Sequence, residues 1–257
     1  MTKIDKKEIL VSTAKSIFGA IPCGGTALNE LFFEYNGRLK QNRLNQFVEI
    51  LAENFTKDAN INLDNIKTED FNDLFESVLR RVVQTKSELK LIRFKNILIK
   101  ELNSPTESVE VIDHYLDLIS SLTEEELTIL YNHRHFTVKF EEEINELNRH
   151  QSNLTSLDEK LRKERLVINE SEFQKPYDEL KITYEKKKKH IDSFTKYKKA
   201  EFYGLPENNF MFYKQRLFSK GLLIDNRMNR ISSLPFENMG ITEFGMEFID
   251  FIKNSEE

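Results

Sequence analysis

Residues 136–202 read FTVKFEEEINELNRHQSNLTSLDEKLRKERLVINESEFQKPYDELKITYEKKKKHIDSFTKYKKAEF, and the reading of this stretch decides the fold. It is charged almost throughout, and no glycine falls between Gly37 and Gly204 to break it. Phe140, Ile144, Leu147, Gln151, Leu154, Asp158, Leu161, Arg165 and Ile168 step by four and three residues, the spacing of a coiled-coil seam with polar breaks. Phe173, Tyr177, Leu180, Tyr184, Lys187, Ile191, Phe194 and Lys198 repeat the step after a reversal at Val167 to Ser171. Pro176 fits because it falls near the first turn of the second limb. The stretch predicts an antiparallel coiled-coil arm, and about 30 residues per limb at a 1.5 Å rise would project about 45 Å.

On the C-terminal side, Phe210 to Leu217 carry a helical pattern that Gly221 ends, and Leu222 to Ile224 form a short apolar run. A polar segment from Asp225 to Asn238 follows, then Ile241, and Thr242 is placed to cap a closing helix through Phe244, Met246, Phe248, Ile249 and Ile252. Helix, strand, polar hairpin, strand and helix is the winged-helix order. Its missing earlier helix is supplied on the N-terminal side, where Thr123 and Glu126 have capping-box spacing before Leu127, Ile129 and Leu130. The arm, at about residues 136–202, thereby becomes an insertion in a winged-helix-like domain spanning residues 122–257.

Residues 1–121 read as a helical bundle. Ile4, Leu10, Val11, Ala14, Ile17 and Phe18 recur near helical period, the Ile21 to Gly25 segment turns the chain, and Leu28 to Phe55 mark a second helix whose buried face includes Leu31, Phe32, Leu39, Leu44, Phe47 and Leu51. A polar loop covers Thr56 to Lys67. Thr68 and Ser87 precede two further amphipathic helices, and Val109 to Ile119 form another. The fold class is therefore mainly α.

The closing segment, Gly221-Leu222-Leu223 followed by Ile241-Thr242-Glu243-Phe244-Gly245-Met246-Glu247-Phe248, resembles the ending of the bacterial abortive-infection alpha proteins and related helical phage-defence proteins. The resemblance covers about 50 C-terminal residues and implies a bacterial protein and a defence role; it carries no catalytic residue with it.

The 257 residues hold 39% hydrophobic and 32% charged side chains, which suits long solvated helices. A net charge of −5 speaks against a surface that binds nucleic acid everywhere, while a local basic patch stays open. With the single Cys23 no internal disulfide forms, and no secretory signal pattern begins the chain, so the expected location is cytoplasmic.

No motif fixes a reaction. Gly19 to Thr26 resembles a phosphate-binding loop, but Gly25 stands where that loop needs lysine, and no strand precedes it. Cys23 has no His or acid placed beside it to activate it. His133 and His135 are two residues apart, and a metal would need further ligands from elsewhere. The expectation is a protein without enzymatic activity, cofactor or metal, with no small-molecule substrate identified.

Charge offers the candidate contact residues. Lys186, Lys187, Lys188 and Lys189, then Lys196, Lys198 and Lys199, then Lys214, Arg216 and Lys220, with Arg227 and Arg230 at the hairpin, form a basic strip interleaved with Tyr184, Phe194, Tyr197 and Tyr203. Such a strip suits a protein partner or nucleic acid. The plain alternative is a solvated limb facing the acidic outgoing limb, with Glu141, Glu142, Glu143 and Glu146 near Lys196 to Lys199. Ile17, Phe18, Ile21, Phe32 and Phe33 would form an apolar hairpin able to enter a membrane. The leading expectation is a non-enzymatic recognition or adaptor protein that engages a partner or self-associates through the arm. A DNA-binding winged helix and a membrane-disrupting effector are the alternatives.

Overall fold

The computed structural model describes residues 38–57, 65, 68–105, 109–164, 173–226 and 235–254, and these are mainly α-helical. They divide into two compact units, one reaching to Leu122 and taking in the chain from Asp250, the other Thr123–Ile249.

The first unit holds α1 (Arg38–Lys57), α2 (Glu69–Val82), α3 (Glu88–Asn103) and α4 (Val109–Ser121). The Thr68 hydroxyl accepts from the Phe71 amide at 3.3 Å, and Ser87 starts α3 in the same way by accepting from Lys90. These caps satisfy amides that have no partner inside the helix. Glu69 and Asp70 at the start of α2 and Arg80 and Arg81 at its end also suit the helix dipole. Phe47, Leu51, Phe75, Leu79, Phe94, Ile97, Leu116 and Ile119 are fully buried together, each side chain contributing about 1.5–3 kcal/mol when it leaves water. Leu39 differs from the sequence expectation and is 73% exposed. It lies about a third of a turn from the line of Leu44, Phe47 and Leu51 that faces the core.

The second unit begins with α5 (Glu124–His133), which has the expected capping box. Glu126 Oε2 accepts from the Thr123 amide at 2.8 Å, while Thr123 Oγ1 accepts from the Glu126 amide at 3.2 Å. After Phe136 comes α6 (Val138–Glu164), then α7 (Gln174–Thr195), two 3₁₀ turns (Lys196–Lys198 and Ala200–Tyr203), α8 (Glu207–Ser219), β1 (Leu223–Asp225), β2 (Met239–Ile241) and α9 (Glu243–Asn254).

Gly221, at φ +72°, ends α8: its amide donates to Phe218 O at 2.9 Å and the Leu222 amide to Leu217 O at 3.0 Å. This left-handed cap reverses the chain directly into β1. β1 and β2 pair antiparallel with Leu223 opposite Ile241 and Asp225 opposite Met239. On the far side of β2, the Ile241 amide donates to Phe136 O at 2.6 Å. A Cβ at Gly240 would meet that same carbonyl at 2.9 Å, so the close approach of the two backbones needs glycine. Thr242 starts α9 as expected, its hydroxyl accepting from the Gly245 amide at 2.9 Å and donating to Gly221 O at 2.7 Å.

Several expectations fall outside the described residues: the helix of Lys3 to Ala20, the Gly-rich turn with Cys23, the arm's reversal and most of the polar hairpin between β1 and β2. Among the described residues no helix is long and apolar enough to cross a membrane.

Candidate docking surface on the arm and its base

α6 and α7 lie side by side and run in opposite directions. Lys187 reaches Glu146, His190 Nε2 lies 4.0 Å from Glu143 Oε2, and Lys160 Nζ sits 5.4 Å from the Phe173 ring. As residue numbers rise along one helix they fall along the other at one register. The buried or half-buried line on α7 is Phe173, Tyr177, Leu180, Tyr184, Lys187, Ile191 and Phe194, as the spacing predicts. On α6 the line runs Phe140, Ile144, Leu147, His150, Leu154, Leu157 with Asp158, and Leu161, and Gln151 is exposed instead of inward. Leu147, His150 and Leu154 step by three and then four, so the seam shifts by one residue there, and His150 Nδ1 is buried without a hydrogen-bond partner.

The base of the arm is aromatic. Phe136, Phe140 and Ile191 form a buried cluster with Ile144, Leu147, Phe194 and Tyr197 packed against it. The His135 ring stacks on Phe194 at 4.4 Å, Tyr197 meets Phe202 edge-on at 4.9 Å, and Tyr203 stacks on Phe210 of α8 at 5.2 Å. Tyr203 Oη donates to Tyr197 O at 2.9 Å, and burial pushes its phenol pKa up. Offset and edge-to-face contacts of this kind add about 0.5–1.5 kcal/mol per pair to the burial itself. The arm's first and last residues are thereby held on one platform.

His133 and His135 do not form a metal pair. His133 is buried, its Nδ1 bonds Ile129 O at 2.8 Å, and its ring packs against Phe136 and Phe210. Burial lowers its pKa to about 4, helped by the positive Lys214 and Lys198 and opposed by the Ile129 bond. Burial, with Arg134 beside it, also holds His135 below the usual imidazole range. Among the described residues no group of three His, Cys, Asp or Glu is arranged to hold a metal. A pocket of about 100 Å³ in the first unit, lined by Asn65, Phe71, Glu101 and Ile112 among others, falls below the roughly 300 Å³ at which ligand sites begin.

The basic residues divide into two sets. Lys187 is held by Glu146, whose pKa that bond lowers. Lys198 lies 3.8 Å from Glu141 and over the rings of Phe136 and Phe140 at 4.7 and 5.5 Å. Lys214 is only 3% exposed, with Nζ 4.5 Å from the centre of the Phe210 ring, and burial lowers its pKa against the pull of Glu207, Glu237 and Asp225. Arg216 turns toward buried Glu126, Nη1 to Oε1 3.2 Å. These four face inward.

Lys186, Lys188, Lys189, Lys196 and Lys199 are exposed, and Lys220 is half-buried at the end of α8. Arg227, Arg230, Ile17, Phe18, Ile21, Phe32 and Phe33 lie outside the described residues. Of the carboxylates expected near Lys196 to Lys199, Glu141 reaches Lys198, whereas Glu146 pairs with Lys187 further out along the limb and Glu143 lies beside His190; the outer lysines stay in solvent.

The sequence reading does not single out the acidic and apolar part of that outer face. Asp178, Glu179, Lys181, Ile182 and Glu185 are all exposed, and Ile182 is 69% so. The available signal is phase: Ile182 falls half a turn from the seam of α7, Asp178, Glu179 and Glu185 about a third of a turn from it, and Lys181 on its flank. On α8, the exposed residues are Glu207, Asn208, Asn209, Phe212, Gln215 and Ser219. No family model, curated protein or solved structure matches the chain.

Proposed function

We propose that the protein is a non-enzymatic recognition or adaptor protein. In this reading a winged-helix-like unit carries an antiparallel coiled-coil arm, and the arm is the element that associates with a partner or with a second copy. The observation that carries it is the anchoring of both arm ends on one aromatic base, with Phe136 bonded to β2 and Tyr203 stacked on α8. A helical pair fixed at one end holds its outer face out as a rigid surface. The order α8, β1, β2, α9, with Phe136 hydrogen-bonded to β2 where a third strand would lie, supports the winged-helix description.

DNA binding is the second reading, and the side chains of α8 weigh against it. Its central cations are turned inward, Lys214 into the core and Arg216 onto Glu126, and the exposed face bears Asn208, Phe212, Gln215 and Ser219. Phosphate neutralisation needs cations on the open face.

The decisive experiment replaces residues 141–201 by a short Gly-Ser linker. The shortened chain should keep its cooperative unfolding and lose the full chain's associations, measured by light scattering and by crosslinking in the host cell. Retained association refutes the reading. The phage-defence setting suggested by the closing segment is tested by plating phage on cells that express either chain; protection should need the arm. A salt titration with duplex DNA should show no binding at low salt, and liposomes should keep their dye.

A further inference from the structure

The outer face of α7 has two charged poles with an exposed apolar residue between them. Asp178 and Glu179 lie toward the tip end of the arm, Lys186 and Lys189 toward its base, and Ile182 stands between them with Lys181 and Glu185 beside it. Asp178 accepts from Gln174 at 3.1 Å; Glu179, Lys181, Glu185, Lys186 and Lys189 form no ion pair among the described residues. Lys175 is also exposed on this face at the tip end, so the acidic pole is the carboxylate pair Asp178 and Glu179 and not the whole tip half.

We propose that α7 pairs antiparallel with α7 of a second copy, across a two-fold axis beside Ile182. An interface of this symmetry must be self-complementary, so that a residue contacting a second on the other copy is itself contacted in return. At 3.6 residues per turn the face satisfies that condition. With the axis at the level of residue 183, one residue from Ile182, Glu179 meets Lys186 of the second copy, Asp178 meets Lys189, and Lys181 meets Glu185. The three pairings fall within one residue of a single register and on matching sides of the helix, and each occurs twice. Ile182 is brought close to its own counterpart, which covers the most exposed isoleucine among the described residues of the arm. A parallel arrangement would instead set Lys186 against Lys186 and Glu179 against Glu179.

One helix face on another is small beside the roughly 1,200–2,000 Å² of a standard interface, so the dimer is weak. Its exposed ion pairs are screened once salt shortens the Debye length from about 10 Å to a few Å. This inference rests on the arm being the associating element and names what it associates with.

Sedimentation velocity on the full chain tests it, at low salt and again in about 1 M salt. A concentration-dependent dimer should form at low salt and weaken at least tenfold in high salt. Lys186→Glu with Lys189→Glu gives a chain with two acidic poles, and Asp178→Lys with Glu179→Lys gives one with two basic poles. Each should dimerise at least tenfold more weakly alone, and the two mixed should form a heterodimer. All four positions are exposed, and circular dichroism checks that both variants fold. A wild-type chain that stays monomeric at low salt overturns the proposal, as does a dimer indifferent to either reversal, or variants that fail to pair when mixed. If the arm deletion abolishes association while these reversals do not, the two-fold contact falls and the arm's role stands; if the deletion changes nothing, that role falls too.

Discussion

Lowering the pH from 7 to 5 should remove about 2 kcal/mol of stability from the second unit through His133 alone. The ring is 1% exposed and carries its proton on Nδ1, donated to Ile129 O, and burial lowers its pKa from 6.5 to about 4. Between those two values the unfolded chain binds a proton that the folded chain refuses, so unfolding takes up a proton and stability falls as pH falls. Near pH 5 the slope is about 1.2 kcal/mol per pH unit, and the loss reaches about 3 kcal/mol below pH 4, where both states are protonated and the slope ends. Other groups titrate in the same range, so the informative quantity is the difference from His133→Leu, which cannot take up the proton. Urea denaturation at pH 7, 6 and 5, with hydrogen exchange of the α5 amides reporting on the second unit, measures it. The wild type should lose about 2 kcal/mol more than the variant between pH 7 and 5. A pH-independent difference refutes the reasoning, as does an imidazole NMR titration of His133 centred near 6.5.

Three further outcomes follow from the packing of the second unit. Gly245→Ala places a Cβ 2.4 Å from Leu222 O, a backbone atom that cannot yield without moving the end of α8, and should cost about 1–3 kcal/mol in denaturant unfolding. Thr242→Val removes the hydroxyl that caps α9 and bonds Gly221 O; about 1–2 kcal/mol should be lost and exchange of the Gly245 amide should quicken. Arg216→Met leaves the buried Glu126 Oε1 without its cation and should destabilise the unit by about 1–3 kcal/mol, with Glu126→Gln in the same chain recovering part of the loss.

Local patterns were legible because they depend on residues three or four apart. The capping box at Thr123 and Glu126, the cap at Thr242, the stop at Gly221 and the four-three step of α7 all lie within one or two turns of chain, where spacing dictates contact. The closing segment has a related explanation. Gly221, Thr242 and Gly245 hold the joint between α8, β1 and α9, through a positive φ, a cap and a 2.4 Å limit on any Cβ.

The side chains of the candidate strip were not legible in the same way. Lysine reads as solvated, yet Lys214 is buried over Phe210 and Lys198 lies over Phe136 and Phe140, because their long stems cross apolar surface contributed by distant elements. Gln151 fits the heptad by number, but the α6 seam slips to His150 as the helix adjusts to its neighbour. The sequence by itself determined a mainly helical chain with its local caps and stops, since short-range periodicity and backbone capping suffice for these. Only the tertiary structure decided which charges are consumed inside the arm and which remain for another molecule. That outcome depends on the distance from Glu146 to Lys187 and from Glu126 to Arg216, pairs brought together by the fold from 41 and 90 residues apart.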